Sequence, residues 1–167
     1  VVVGEDLGVV PPYVSKSLSA HGILGCAVEW FEQFDGEFRA PHDWRPYALA
    51  SVNTHDMPPA AGYLEYGHVK LREQLGLLSG PVEEFQASAT AEHNAMLNML
   101  VEEGYLDKAT LRDELANENE IVDALYRGSR ARHASSWPLH RRRGRRKAYA
   151  EPAGHEQRVS ELAYPVG

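Results

Sequence analysis

An α/β fold of the parallel type is predicted by three features of this 167-residue sequence. Short apolar runs recur, each run ends in a cluster of polar residues, and each cluster leads into a segment with helical periodicity. Strands that carry polar side chains at their carboxyl ends and then feed a helix are the repeating unit of parallel α/β sheets and barrels, whose sites form at those ends.

Val1–Val3 is a β-branched run closed by Gly4 and followed by Glu5-Asp6, which predicts a strand and then a functional turn. Pro11-Pro12 suits a first helical turn, and Tyr13, Val14 and Leu18 give an amphipathic helix that stops at His21-Gly22. The second strand is expected within Ile23–Phe31, with a break at Asp35-Gly36 and a polar, aromatic loop over Phe34–Trp44. A third, Tyr47–Val52, ends in Asn53-Thr54-His55-Asp56, and Pro58-Pro59 opens the next segment. Ala60–Leu75 reads as one helix with Leu64, Val69, Leu71 and Leu75 inward, and Val82–Glu103 as a longer one stopped by Gly104. Its Met96–Val101 stretch fits a buried core rather than a methionine-rich binding face. A further helix is predicted over Ala109–Tyr126, with Leu111, Leu115, Val122 and Leu125 inward; from Gly128 onward the hydrophobic period vanishes.

The net charge of −7 hides an asymmetry: residues 1–126 hold 7 Lys+Arg against 21 Asp+Glu, and residues 127–167 hold 10 against 3. An acidic body with a basic arm ordinarily points to a nucleic-acid or membrane partner. Residues 127–147 carry nine Lys/Arg and no acid, which would give salt-dependent binding, but the arm lacks interleaved aromatics. One cysteine, Cys26, excludes an internal disulfide framework and fits a reducing, cytoplasmic setting. No apolar run approaches the ~20 residues of a membrane span. A start inside an apolar run, without Met, is expected of a piece cut within a strand.

Glu5 and Asp56 stand at the ends of two strands with one βα repeat between them, a spacing that points both carboxylates into one mouth. Glycoside chemistry needs such an arrangement: an acid to protonate the leaving oxygen and carboxylates to stabilise an oxocarbenium-like transition state. By residue type alone, solvated carboxylates at helix starts are the more common explanation of the pattern. His55-Asp56 lacks a further ligand at metal spacing, GEDLG lacks the glycines of a dinucleotide loop, and Cys26 reads as a small core residue in an apolar strand. No cofactor and no metal are expected.

VVVGEDLGVVPPYV, then GILGCAVEWF, then LASVNTHDMPPAAGYL, resembles the bacterial 4-alpha-glucanotransferases, the amylomaltases of the alpha-amylase superfamily (glycoside hydrolase family 77), most of all in their actinobacterial form. The resemblance continues through KLREQLGLLSGPVE and the helices after it, about three quarters of the chain. It implies the C-terminal part of a (β/α)8 TIM barrel, incomplete, with Val1–Glu5 as strand five, the CAVEWF stretch as strand six and LASV as strand seven. It also implies roles: Glu5 as general acid/base, Asp56 as transition-state stabiliser and His55 as a sugar-binding residue of the donor subsite. The family transfers alpha-1,4-glucan segments between maltooligosaccharides by a retaining double displacement. Its nucleophile, an Asp on strand four, has no counterpart in these 167 residues, so the isolated chain is expected to be inactive.

Two segments follow from this reading: residues 1–127 as the C-terminal portion of the catalytic barrel, and residues 128–167 as a basic tail that is not a domain. Three strands with their helices leave open edges and uncovered apolar faces, so a marginal or aggregation-prone chain is expected. The tail lacks the family's C-terminal wording, yet 140–166, back-translated and read one nucleotide later, permits TDAVGD(E/A)RRTQNQPGT(S/N)(S/N)EYPNWRIPL. That predicts a one-nucleotide frameshift between about Arg127 and His140, and an unstructured, out-of-frame tail. The competing reading is a non-catalytic, basic-tailed interaction or nucleic-acid-binding protein. The reading preferred here takes a glucan substrate, no nucleic acid and no membrane as partners.

Overall fold

The structure, a computed structural model, describes residues 1–135. Residues 136–167, with the basic run at 141–147, lie outside the described residues. The elements in chain order are α1 (Pro12–Ala20), β1 (Gly25–Val28), β2 (Gln33–Phe34), β3 (Glu37–Phe38), β4 (Ala48–Ser51), α2 (Ala60–Leu64), α3 (Gly67–Gln74), α4 (Val82–Glu102) and α5 (Glu118–Ser135). The architecture is α/β. β1 and β4 pair in parallel with Gly25 opposite Ala48 and Val28 opposite Ser51, and no closed barrel forms among the described residues.

The segment predicted as the first strand is reduced to one parallel bridge, Val3 to Leu24. Two backbone bonds hold it, Leu24 N–H to Val2 O (3.0 Å) and Gly4 N–H to Leu24 O (2.7 Å). Val1 and Val2 are exposed, so burial adds little to the pairing. The second strand is shorter than Ile23–Phe31 because the chain tightens into a 3-10 turn over Glu29–Phe31. Within the segment expected as a loop, β2 and β3 form a small antiparallel hairpin. Asp35 (φ 53°) and Gly36 (φ 78°) make its turn, where successive positive φ values suit an Asp-Gly pair.

The helix expected over Ala60–Leu75 is two helices. Tyr66 adopts left-handed backbone (φ 58°) between them, and its ring stacks on His93 at 5.3 Å. The break re-phases the helical faces: Leu64 and Val69 are buried as predicted, whereas Leu71 and Leu75 are exposed. Similarly, Lys108–Arg112 is a separate 3-10 turn and α5 begins only at Glu118, which leaves Leu115 exposed. α5 also runs past Tyr126, and past the 127/128 boundary, to Ser135. Its buried stripe is Ile121, Ala124, Leu125, Gly128 and Ser129, a continuous helical face whose last members are too small to register as hydrophobic. The buried Ser129 hydroxyl donates to Tyr126 O at 3.1 Å.

The main core lies between the sheet and the helices. Val28, Trp30, Val52, Tyr63, Met96, Leu97, Leu100, Ile121 and Leu125 are all part of it, so the Met96–Val101 stretch is interior. Trp30 stacks on Tyr63 (3.8 Å between centroids) and Tyr63 on His68 (4.3 Å). Burial, with the Arg72 charge, lowers the His68 pKa to about 4, so His68 is neutral in this stack. Under the sheet a smaller cluster packs Ala27, Ala48 and Ala50 on Trp44, whose indole N–H donates to Arg39 O at 3.0 Å.

Candidate active site

Alternation along the parallel strands divides their side chains between two faces. Val3, Glu5, Leu7, Cys26, Val28, Leu49, Ser51, Asn53, Thr54 and His55 line an open cleft of about 370 Å³ on one face. Gly25, Ala27, Ala48 and Ala50 belong to the other, where Trp44 and Arg45 lie. The sequence spacing predicts Glu5 and Asp56 in one mouth, whereas the cleft is lined by Glu5 and His55. Both side chains are exposed.

Asp56 is exposed at the turn beyond His55 and does not line the cleft wall. Its carboxylate accepts a hydrogen bond from the Thr54 hydroxyl, and that bond, with its own backbone N–H, holds its pKa below the usual carboxylate value. Asn53 braces the same turn by donating to Pro58 O at 3.1 Å, and Met57 N–H bonds Thr54 O at 3.3 Å. Pro59 is the N-cap of α2, so the Asn53–Pro59 turn runs from a side-chain brace at its strand end to a φ-restricted residue at the helix start.

Cys26 departs from its expected place. It is half-buried and lines the cleft rather than the core, with its thiol directed to Gly4 O at 3.7 Å. Partial burial and the nearby Asp6 charge raise its pKa, so it is held as a thiol.

The group that sequence reading missed is Asp6 with Arg45. The Asp6 side chain is only 3% exposed and takes two bonds from the Arg45 guanidinium, Nη1 to Oδ2 at 2.6 Å and Nη2 to Oδ1 at 2.5 Å. Cys26 N–H donates to Asp6 Oδ1 at 2.9 Å. Burial alone would raise the Asp6 pKa, but the bonds from Arg45 and Cys26 and the Arg45 charge outweigh it and lower it. The acidic "ED" pair was visible in the sequence; the 39-residue separation of Asp6 from Arg45 left no local signal.

A second unanticipated carboxylate is Glu29, fully buried at the end of β1 with neither oxygen hydrogen-bonded. Burial, with the Glu32 charge, pushes its pKa up to about 8. Among the described residues no group of three or more His, Cys, Asp or Glu is placed to hold a metal ion, and no helix is long and apolar enough to cross a membrane.

The family model for 4-alpha-glucanotransferase matches residues 1–139. The 4-alpha-glucanotransferase of Mycobacterium tuberculosis is 46% identical over 132 residues, which cover 76% of this chain and 18% of that protein. The 4-alpha-glucanotransferase of Haemophilus influenzae is 34% identical over 106 residues, 63% of this chain and 15% of its own length. Among solved structures, the crystal structure of amylomaltase from Corynebacterium glutamicum superposes with a TM-score of 0.66 at 35% identity, over 75% of this chain and 19% of that one. The chain thus spans less than one fifth of the length of these relatives. On the extent of the family match and the 46% identity, the chain belongs to the 4-alpha-glucanotransferase family.

Proposed function

We propose that these residues form the acid/base side of a glucanotransferase active site, acting on alpha-1,4-linked maltooligosaccharides in the cytoplasm. The observation that carries the reading is that Glu5 and His55, from strand ends 50 positions apart in sequence, line one open cleft in a chain of this family. In this reading Val1–Glu5, the β1 region and the β4 region are barrel strands five, six and seven, and residues 1–127 contribute to the catalytic barrel.

Glu5 is the general acid/base. Its carboxylic acid donates a proton to the glycosidic oxygen as the bond breaks, and its carboxylate then takes the proton from the hydroxyl of the accepting sugar. Asp56 supplies negative charge for the oxocarbenium-like transition state. The Thr54 bond holds its pKa below the usual carboxylate value and so favours its ionised form. His55, on the cleft wall, bonds sugar hydroxyls.

Formation of the glycosyl-enzyme intermediate needs a carboxylate nucleophile on a strand outside these 167 residues, so the isolated chain is inactive. Incubation of the purified chain with maltotriose tests this: no longer oligosaccharides and no released glucose are expected, and any turnover by the pure chain overturns it. The basic tail belongs to a shifted reading frame. The family match reaches residue 139, at the edge of the segment whose shifted frame spells the family ending, which supports a seam near that point. Sequencing the DNA should read NQPGT and YPNWR in the shifted frame; any other codons refute the seam.

A further inference from the structure

Glu5 and Asp6 are adjacent but face opposite sides of the sheet, Glu5 into the cleft and Asp6 into a buried bed beneath it. The segment that carries Glu5 has little of its own to hold it, because Val1 and Val2 are exposed and a single bridge joins it to the sheet. The last ladder bond is Gly4 N–H to Leu24 O, at 2.7 Å. Two residues on, the Asp6 carboxylate replaces a backbone carbonyl and accepts Cys26 N–H at 2.9 Å. Residue 5 is therefore bracketed by two anchors on the same neighbouring strand.

Arg45 closes the second anchor. Besides its two bonds to Asp6, its Nη2 donates to Cys26 O at 2.5 Å, so one guanidinium ties the side chain of residue 6 to the backbone of β1. The Ser15 hydroxyl, 3.3 Å from Arg45 Nη1 and 3.5 Å from Asp6 Oδ2, joins α1 to the same group. The arrangement requires glycine at residue 25. A Cβ there would fall 2.1 Å from Arg45 Nη2, 2.6 Å from Cζ and 2.8 Å from Asp6 Oδ1. The guanidinium lies where any other side chain would begin.

We propose that Asp6, Arg45 and Gly25 are positioning residues: they clamp the chain at residue 6 onto β1 and thereby set the direction in which Glu5 enters the cleft. The inference rests on reading Glu5 as the acid/base. A planar fork that reaches two carboxylate oxygens and a carbonyl is specific to arginine, so lysine cannot reproduce it.

The test uses the 167-residue chain and its variants Asp6→Ala, Arg45→Lys and Gly25→Ala. Two quantities are read by NMR: amide hydrogen exchange at Cys26 compared with Leu100 and Leu125, and the side-chain carboxyl 13C signal of Glu5 at fixed pH. Loss of a charged partner from Cys26 N–H should speed its exchange about tenfold or more, with the core amides within about twofold, and should move the Glu5 carboxyl signal to that of an unstructured glutamate. Arg45→Lys should show the same local signature although it keeps the charge, and it serves where Gly25→Ala fails to fold. Unchanged Cys26 exchange and an unmoved Glu5 signal in Asp6→Ala overturn the clamp. Equal acceleration at Leu100 and Leu125 also overturns it, since the group would then serve global stability alone. Failure of the functional reading looks different: the clamp signatures appear, but maltotetraose leaves the wild-type Glu5 signal in place.

Discussion

The two faces of the β1/β4 sheet come from the same strands and differ in what covers them. On the covered face Ala27 and Ala48 are buried on Trp44, and Val52 joins the core to which α4 and α5 supply Met96, Leu100, Ile121 and Leu125. On the cleft side Val3 and Leu49 remain 39% and 45% exposed, beside Glu5 and His55. Packing is concentrated on the covered face, and the polar side chains of the proposed site stand on the open one. Hydrogen bonds fix what packing does not: the Asn53–Pro59 turn is braced beside the cleft, and the Asp6–Arg45 clamp holds residue 5 from beneath the sheet.

This contrast makes unequal demands on substitutions. The largest effect is expected at Leu100, which is fully buried: Leu100→Ala should cost about 3 kcal/mol, read as a lowered midpoint of urea unfolding. A loss below about 1 kcal/mol would mean that the helix-side core is not what holds the fold.

Glu29 tests the same face through pH. Its pKa is raised from 4.5 in the unfolded chain to about 8 in the fold, so the folded state binds the extra proton between those values. Stability is therefore fully present below pH 4.5, falls as pH rises through the window, and levels off above about 8, with a slope approaching 1.4 kcal/mol per pH unit. Glu29→Gln, which stays neutral, should flatten that slope in urea melts taken from pH 4.5 to 9. A variant that keeps the wild-type slope would place the buried titration elsewhere.

At the clamp and on the open face the effects should be smaller. Gly25→Ala should cost about 1–3 kcal/mol by forcing Arg45 off the strand, and it should leave the core amides protected. Leu49→Ser, at a half-exposed site, should change stability by about 0.5 kcal/mol or less. If Leu49→Ser matched Leu100→Ala in thermal and urea unfolding, the distinction between the two faces would collapse.

How much of this was legible in the sequence depends on the range of the determining contact. The helix over Val82–Glu103 and the strands at residues 23–31 and 47–52 announce themselves because apolar period and terminators lie within each segment. The strand-end placement of Glu5 follows from the same pattern, but the pattern paired it with Asp56, while the cleft wall carries His55. At the break the left-handed residue is Tyr66, not the neighbouring Gly67, whose close approach to Gly62 O and the stack of Tyr66 on His93 appear only once the helices are packed. The continuation of α5 to Ser135 was hidden because Gly128 and Ser129 pack by smallness, not by hydrophobicity. Burial of Glu29 contradicts its residue type, and Arg45 finds Asp6 only when the strands have been brought side by side.

The central claim is that the open face, with Glu5, His55 and the Asp56 turn, is the glucan-facing wall. Titration of the 15N-labelled chain with maltotetraose tests it most directly. The account predicts weak, saturable shifts confined to Glu5, Cys26 and Asn53–Asp56, lost in Asp56→Ala. Shifts centred on α4 and α5, or shifts at the cleft that persist unchanged in Asp56→Ala, would contradict it.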